Sequence, residues 1–273
     1  MPANDAAGAP SPFPSLANFR DLGHWVGDGE RVVRPATLYR ANDFVGLTDD
    51  DHAGLVELGL RTVVDLRTET ERTGNPDPTF PGTAEVVLDV LEGANSMQVP
   101  ANLGKVLSDP AVVNQMSAEF STDKAHELMS ATYREFITLD SANHAFGAFY
   151  KELLAGELTP VLFHCTTGKD RTGWAAASFL SLMGVARDDV YRDYLLTNDR
   201  LLPALAPVFD KFAAVGGDPA LLRPLLGVEA RYLDAAFAEM EKTHGTLERY
   251  FADALGIDSA GQEELRARFL VDA

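Results

Sequence analysis

The run from Trp174 to Gly184 contains no charged residue over about three helical turns. A helix that is apolar on every side belongs inside a molecule rather than on it. It follows the short apolar run Val161-Leu162-Phe163 after one turn of small and polar residues, so a buried strand leads directly into a buried helix. Such a pair fits best at the centre of an α/β fold, a twisted sheet flanked by helices. The turn holds the only cysteine, Cys165, and Arg171 follows after five intervening residues. A thiol at a strand end, small residues whose amides can converge and an arginine at a helix start together form an anion trap with a nucleophile in it.

The remaining chain supplies further strands and helices for that sheet. Segments 16–26 and 31–42, split by Gly27-Asp28-Gly29, read as strands or extended chain. Thr48 before three aspartates predicts a capped helix to Leu58, stopped by Gly59. Residues 62–67 and 85–90 read as strands, with the polar, proline-rich 67–82 as loop. Helices are expected at 97–107, 111–120, 126–138, 144–154, 188–196, 203–215, 220–226, 229–255 and 259–270. Residues 1–15 read as a disordered leader and 16–273 as a single domain, with 95–130 a helical lid insertion.

Charge narrows the partners. Lys plus Arg number 23 against 41 Asp plus Glu, a net charge of −18, which argues against nucleic acid. A phosphate site here must be positive locally, against the overall field. One cysteine excludes an internal disulfide framework. No apolar run reaches the roughly 18–20 residues of a membrane span, and the N-terminus lacks signal-peptide character. The expected location is cytoplasmic, with export by a signal-less route left open. The remaining histidines, His24, His52, His126, His144 and His244, show no metal-ligand spacing, and neither metal nor cofactor is expected.

The chemistry follows from the turn. A free thiol titrates near 8.5, and a helix N-terminus with cationic neighbours can bring it to about 3.5–7.5. Thr166, Thr167 and Gly168 are small enough for successive N–H groups to converge, with His164 orienting the backbone at Cys165. Arg171 suits two phosphoryl oxygens through its planar fork, and Thr172 is placed to bond the sulfur. The bland alternative is a buried cysteine beside a surface turn. Gly168-Lys169 is not a nucleotide-binding loop, because Phe163 and Asp170 stand where Gly and Ser or Thr are required.

The segment His164-Cys165-Thr166-Thr167-Gly168-Lys169-Asp170-Arg171-Thr172-Gly173 matches the Cys-x5-Arg signature of tyrosine and dual-specificity phosphatases. It resembles most the bacterial protein-tyrosine phosphatase B type, with supporting matches at Asn18-Phe19-Arg20-Asp21, Leu38-Tyr39-Arg40, Val64-Asp65-Leu66-Arg67, Asp193-Tyr194-Leu195 and Asn198-Asp199. The resemblance implies hydrolysis of phosphotyrosine, and in some members of phosphoserine, phosphothreonine or phosphoinositides. It also implies that Lys169 and Asp170 sit on the rim of the loop, where the lysine would serve a multiply phosphorylated headgroup.

The general acid stays open among three carboxylates. Asp89, at a strand end, comes first; Glu92 and Asp170 are the alternatives. Asp65 is expected to pair with a nearby arginine, and Arg20 or Arg40 to buttress the loop. Two other readings compete: a phosphate- or phosphoinositide-binding module without turnover, and a redox or sulfur-transfer thiol. The second lacks a resolving cysteine and leaves Arg171 without a role.

Overall fold

The computed structural model describes residues 6–93, 110, 111, 113, 121–156 and 160–273. Its strands are β1 (Arg20–Asp21), β2 (Val32–Val33), β3 (Leu38–Ala41), β4 (Thr62–Asp65), β5 (Ala84–Val87), β6 (Val161–His164) and β7 (Leu270–Val271). Five form one sheet in the order β1-β3-β6-β4-β5, parallel except for β1, while β2 and β7 make a separate antiparallel pair. The expected α/β architecture is therefore observed, with β6 in the middle.

Every residue of β3, β4 and β6 is buried, as parallel strands covered on both faces require. Alternation along β6 sends Val161 and Phe163 into the larger apolar cluster, with Trp174 and Phe149. Leu162 enters a second cluster with Phe13, Phe19 and Tyr39. Full burial of one such side chain contributes about 1.5–3 kcal/mol relative to exposure. Ala41, His164 and Asp65 are register partners at the carboxyl ends of β3, β6 and β4. The three chains therefore leave the sheet side by side at Asn42, Cys165 and Leu66, the edge where open α/β sheets bind ligands.

The helices are α1 (Asp49–Glu57), α2 (Glu69–Gly74), α3 (Thr122–Thr138), α4 (Asp140–Leu154), α5 (Arg171–Leu182) and α6 (Arg187–Ala204). They continue with α7 (Ala206–Ala214), α8 (Pro219–Leu226), α9 (Ala230–His244), α10 (Leu247–Asp253) and α11 (Ser259–Phe269). Helix α5, uncharged beyond its first residue Arg171, is buried at every position but Ser181. Thr48 caps α1 as expected, accepting from the Asp51 amide at 3.2 Å. Among the described residues no helix is long and apolar enough to cross a membrane.

Several expectations need correction. Segments 16–26 and 31–42 yield only β1, β2 and β3 as strands. The loop expected over 67–82 contains α2, closed by a reciprocal capping box between Thr68 and Glu71. The single helix expected over 229–255 is two, because Gly245 takes a left-handed conformation (φ 83°) and Thr246 caps a new start. Helix α6 runs through Pro203 to Ala204 instead of ending near residue 196. The leader expected over 1–15 is packed where described. Phe13 lies in the second core cluster, Ser15 donates its amide to Asp51 at 2.7 Å, and Arg200 reaches the carbonyls of Gly8 and Ala9. Of the lid expected over 95–130, most lies outside the described residues. Residues 122–130 belong instead to α3, capped by Ser121, and its Ala125 and Met129 are buried. Pro110, Ala111 and Val113 are helical, with Val113 packed against Phe212, Leu222 and Leu226.

Candidate active site

The turn after β6 is held by its carbonyls. Asp43 N donates to Thr166 O at 3.0 Å, Asn18 Nδ2 to Thr167 O at 3.0 Å, and Arg40 Nη2 to Gly168 O at 2.7 Å. Each anchor comes from the β1–β3 side of the sheet. Among the described residues, no hydrogen bond outside the helices and strands is donated by a backbone amide of residues 166–171. With these C=O groups bonded to the scaffold, the N–H groups of the turn stay available to receive an anion. Gly168 permits it twice over. Its φ is 66°, and a Cβ there would lie 2.2 Å from Ala41 O. Cys165 is fully buried at the bottom of this turn.

Arg171 opens α5 and is held by a residue that the sequence did not single out. Its Nη1 and Nη2 each donate to a Glu71 carboxylate oxygen at 2.7 Å, and Nη1 also reaches Leu66 O at 3.3 Å. A guanidinium has five N–H bonds. Three are committed, and the Nε–H with the second Nη2–H forms the remaining fork, aimed by Glu71. Glu71 also accepts from Thr166 Oγ1, and from Thr68 N and Oγ1, both at 2.9 Å. Burial pushes the Glu71 carboxyl up, but the bonds and charge of Arg171 outweigh it and hold it at about 2. The one sequence signal for Glu71 was Thr68-x-x-Glu71, which predicts a capping box but not its partner on a loop far along the chain.

Behind the turn, Arg20 and Arg40 both pair with Asp193 of α6, at 2.8 Å and 2.6 Å, and all three are buried. Asn18 links this cluster to the turn, accepting from Arg20 Nη1 while donating to Thr167 O. The expected buttressing by an N-terminal arginine is thus made directly by Arg40, with Arg20 and Asn18 behind it.

On the β4 side, Asp65 pairs with Arg67 at 2.8 Å, and Arg67 also reaches Asp77 at 2.6 Å. His164 Nε2 meets Asp77 Oδ2 at 3.0 Å while Nδ1 lies 3.1 Å from Cys165 O. Burial lowers the His164 pKa, but the Asp77 contact and charge raise it above its ordinary value overall. Asp65, Asp77 and His164 offer ligand atoms within 4.8 Å of one another, yet Arg67 and the imidazole already occupy those oxygens, so the group reads as an ion-pair network.

The expected loop rim is partly corrected. Lys169 is fully buried, not on a rim, and donates to the Asp170 carboxylate at 2.8–2.9 Å. Asp170 also accepts from Tyr133 Oη at 3.1 Å, and Tyr133 accepts from Tyr194 at 2.6 Å. Both Asp170 oxygens are therefore engaged from below. Thr172 Oγ1 is buried without a hydrogen-bond partner, so the expected bond to the sulfur is not formed here.

The three acid candidates separate clearly. Asp170 is tied to Lys169 and Tyr133. Glu92 is exposed. Asp89, just past β5, accepts from the amides of Leu91 and Glu69 at 3.0 Å and 3.2 Å. Burial raises its pKa above the usual carboxylate value, against the lowering effect of those amides, Arg72 and Arg171. Asp89 and Asp170 are both half-buried and electrostatically coupled to Arg171, but Asp170 is ion-paired with Lys169.

Comparison with known proteins gives a consistent result. A family model described as the tyrosine phosphatase family matches residues 11–271. A Cupriavidus necator protein named for the tyrosine-protein phosphatases is 34% identical over 94% of this chain and 87% of its own length. The triple specificity protein phosphatase PtpB of Mycobacterium tuberculosis is 33% identical over 94% of this chain and 98% of its own. A tyrosine-protein phosphatase of Nostoc commune is 27% identical over 86% of this chain and 74% of its own.

Proposed function

The chain belongs to the tyrosine phosphatase family of hydrolases, and from that premise we propose that it dephosphorylates phosphotyrosine in proteins through a phosphocysteine on Cys165. The observation that carries this reading is the turn itself: carbonyls bound outward, Cys165 at its base, and Arg171 held by Glu71 with one donor fork to spare.

In the proposed reaction the Cys165 thiolate attacks phosphorus while the bond from phosphorus to the tyrosyl oxygen breaks. The departing oxygen takes a proton from Asp89, whose raised pKa suits a donor. The loop amides and the Arg171 fork bind the equatorial oxygens, where charge accumulates in the transition state. Water, activated by the Asp89 carboxylate, then displaces the thiolate and releases inorganic phosphate. Thr172, buried with a free hydroxyl, is suited to donate to the departing sulfur.

The PtpB relative is named a triple specificity protein phosphatase, which supports a range wider than phosphotyrosine. That this range takes in phosphoserine, phosphothreonine and phosphoinositides is our proposal from the family resemblance. Lys169 does not add to that case, because it is buried and already paired with Asp170. The test is hydrolysis of p-nitrophenyl phosphate, expected to be blocked by vanadate, unaffected by EDTA and lost in Cys165→Ser. Undiminished turnover by that variant rules out the phosphocysteine. Phosphate binding without turnover by the unaltered chain would favour a binding module.

A further inference from the structure

Cations surround the Cys165 loop, and nearly all are matched by a carboxylate. Arg171 pairs with Glu71, Lys169 with Asp170, and Arg67 with Asp65 and Asp77. His164 faces Asp77, and Asp43 lies 3.9 Å from Arg67 as a third carboxylate on that side. The β3 side differs. There Arg20 and Arg40 share the single carboxylate of Asp193, and all three side chains are excluded from solvent. Arg200 interacts with Arg20 and Asp193 and has exposed Asp199 beside it on α6 as a counter-charge. The phenols packed there, Tyr133 and Tyr194, stay neutral because burial pushes both well above their ordinary pKa.

On the β3 side, among the described residues, Arg20, Arg40 and Arg200 face only Asp193 and Asp199, so one positive charge is left over there. On the β4 side Asp65, Asp77 and Asp43 already offset Arg67 and His164. Asp193 binds Arg20 through Nε, Nη2 and a backbone carbonyl, so Arg40 is the less satisfied of the two. Its Nε has no partner, and its Nη2 is bonded to Gly168 O of the loop itself. Burial and Arg20 pull its pKa down to about 10, which leaves it protonated at neutral pH.

We propose that Arg40 is a positioning residue acting on Cys165 by charge: its unmatched guanidinium, sealed behind the loop, is the standing counter-ion of the thiolate. This rests on the reading of Cys165 as nucleophile. A chain carrying −18 overall opposes both a thiolate and an incoming phosphate dianion. A charge placed under the loop counters that field at close range, and being buried it is little screened by salt. Arg171 also acts on Cys165, but Glu71 offsets part of its charge while directing its donors, so Arg40 adds to it from the other side of the loop.

The test follows the ultraviolet absorbance of the thiolate against pH, as a difference from the matching Cys165→Ser protein, with circular dichroism to confirm folding. The chain has one cysteine, so the signal has one source. Arg40→Met is expected to raise the midpoint by about one unit or more, the usual effect of removing a close opposite charge. Arg40→Lys keeps the charge and should hold it within about 0.5 unit. Asp193→Asn leaves both arginines unmatched and should lower it. Opposite signs from two cuts in one cluster are what a purely structural role cannot produce. An unchanged midpoint in Arg40→Met, a rise in Arg40→Lys as large as in Arg40→Met, or a rise in Asp193→Asn would each overturn the proposal. If Arg40→Met does not fold, the other two decide it. Should the unaltered chain hydrolyse no phosphate ester while these shifts occur, the phosphatase reading falls and the charge assignment stands.

Discussion

On the β4 side of the loop Arg171 meets Glu71 one to one, through two bonds of 2.7 Å. On the β3 side Arg40 shares Asp193 with Arg20 and holds Gly168 O. A matched pair contributes direction: its charge is neutralised nearby, and what remains is a rigid fork. A mismatched cluster contributes field: its donors are spent on the scaffold, and what remains is charge. Buried ion pairs are weak evidence of stability because desolvation opposes them. Here the two clusters are better understood by what each leaves over for the loop between them.

If Arg171 supplies direction, keeping its charge without its fork should be ruinous. Arg171→Lys is expected to lose about 10³-fold or more in kcat/KM on an aryl phosphate, the scale seen for arginines at phosphoryl transfer. A loss below tenfold would mean that charge alone suffices there and would collapse the contrast with Arg40.

Asp89 tests whether Arg171 also organises the leaving-group side. Asp89→Asn should lower kcat about 10²-fold. Since its pKa is raised above 3.8 and the protonated form donates, kcat of the unaltered protein should fall as pH rises through that pKa. The variant should be flat over the same limb, and a limb that persists would return the role to Glu92 or Asp170.

Glu71→Gln keeps the side-chain shape but turns one accepting oxygen into an NH2 donor that faces donors, and removes the match. Turnover should drop about tenfold as the fork loses its aim. The Glu71 carboxyl is held at about 2 against an ordinary 4.5, so its stabilisation is complete above 4.5 and lost as pH falls towards 2. That amounts to about 3 kcal/mol at most. Acid unfolding should show this loss in the unaltered protein and not in the variant.

Tyr133→Phe touches neither charge nor fork. It removes the bonds to Asp170 and from Tyr194, and should cost about 1 kcal/mol in denaturant unfolding with turnover within about threefold. A larger kinetic effect would make the Lys169–Asp170 pair part of the machinery.

Much of the loop was legible before any coordinates. Val161-Leu162-Phe163 and the uncharged Trp174–Gly184 run located the central strand and helix, because full burial on every face leaves a mark in composition. Gly168 and the Cys165-to-Arg171 spacing located the turn. Local punctuation was less reliable. Gly245 and Thr246 end one helix and begin another, yet the amphipathic pattern runs across them. Phe13 is core although its neighbours read as a leader.

What the sequence alone determined is the part of the candidate site that is contiguous: Cys165, the loop, Arg171 and the helix behind them. Those residues interact through bonds fixed by the backbone, so their spacing is their geometry. Tertiary structure decided the charges around them. Arg40 and Glu71 lie far from residues 164–173 in the chain and converge because β3 and β4 flank β6, while Asp193 comes from α6, which packs on α5. Whether a cation is matched, exposed or sealed under a loop depends on distance through space and on exclusion of water. Lys169 shows this plainly: a motif position read as rim is fully buried and paired with Asp170, which Tyr133 of α3 also binds.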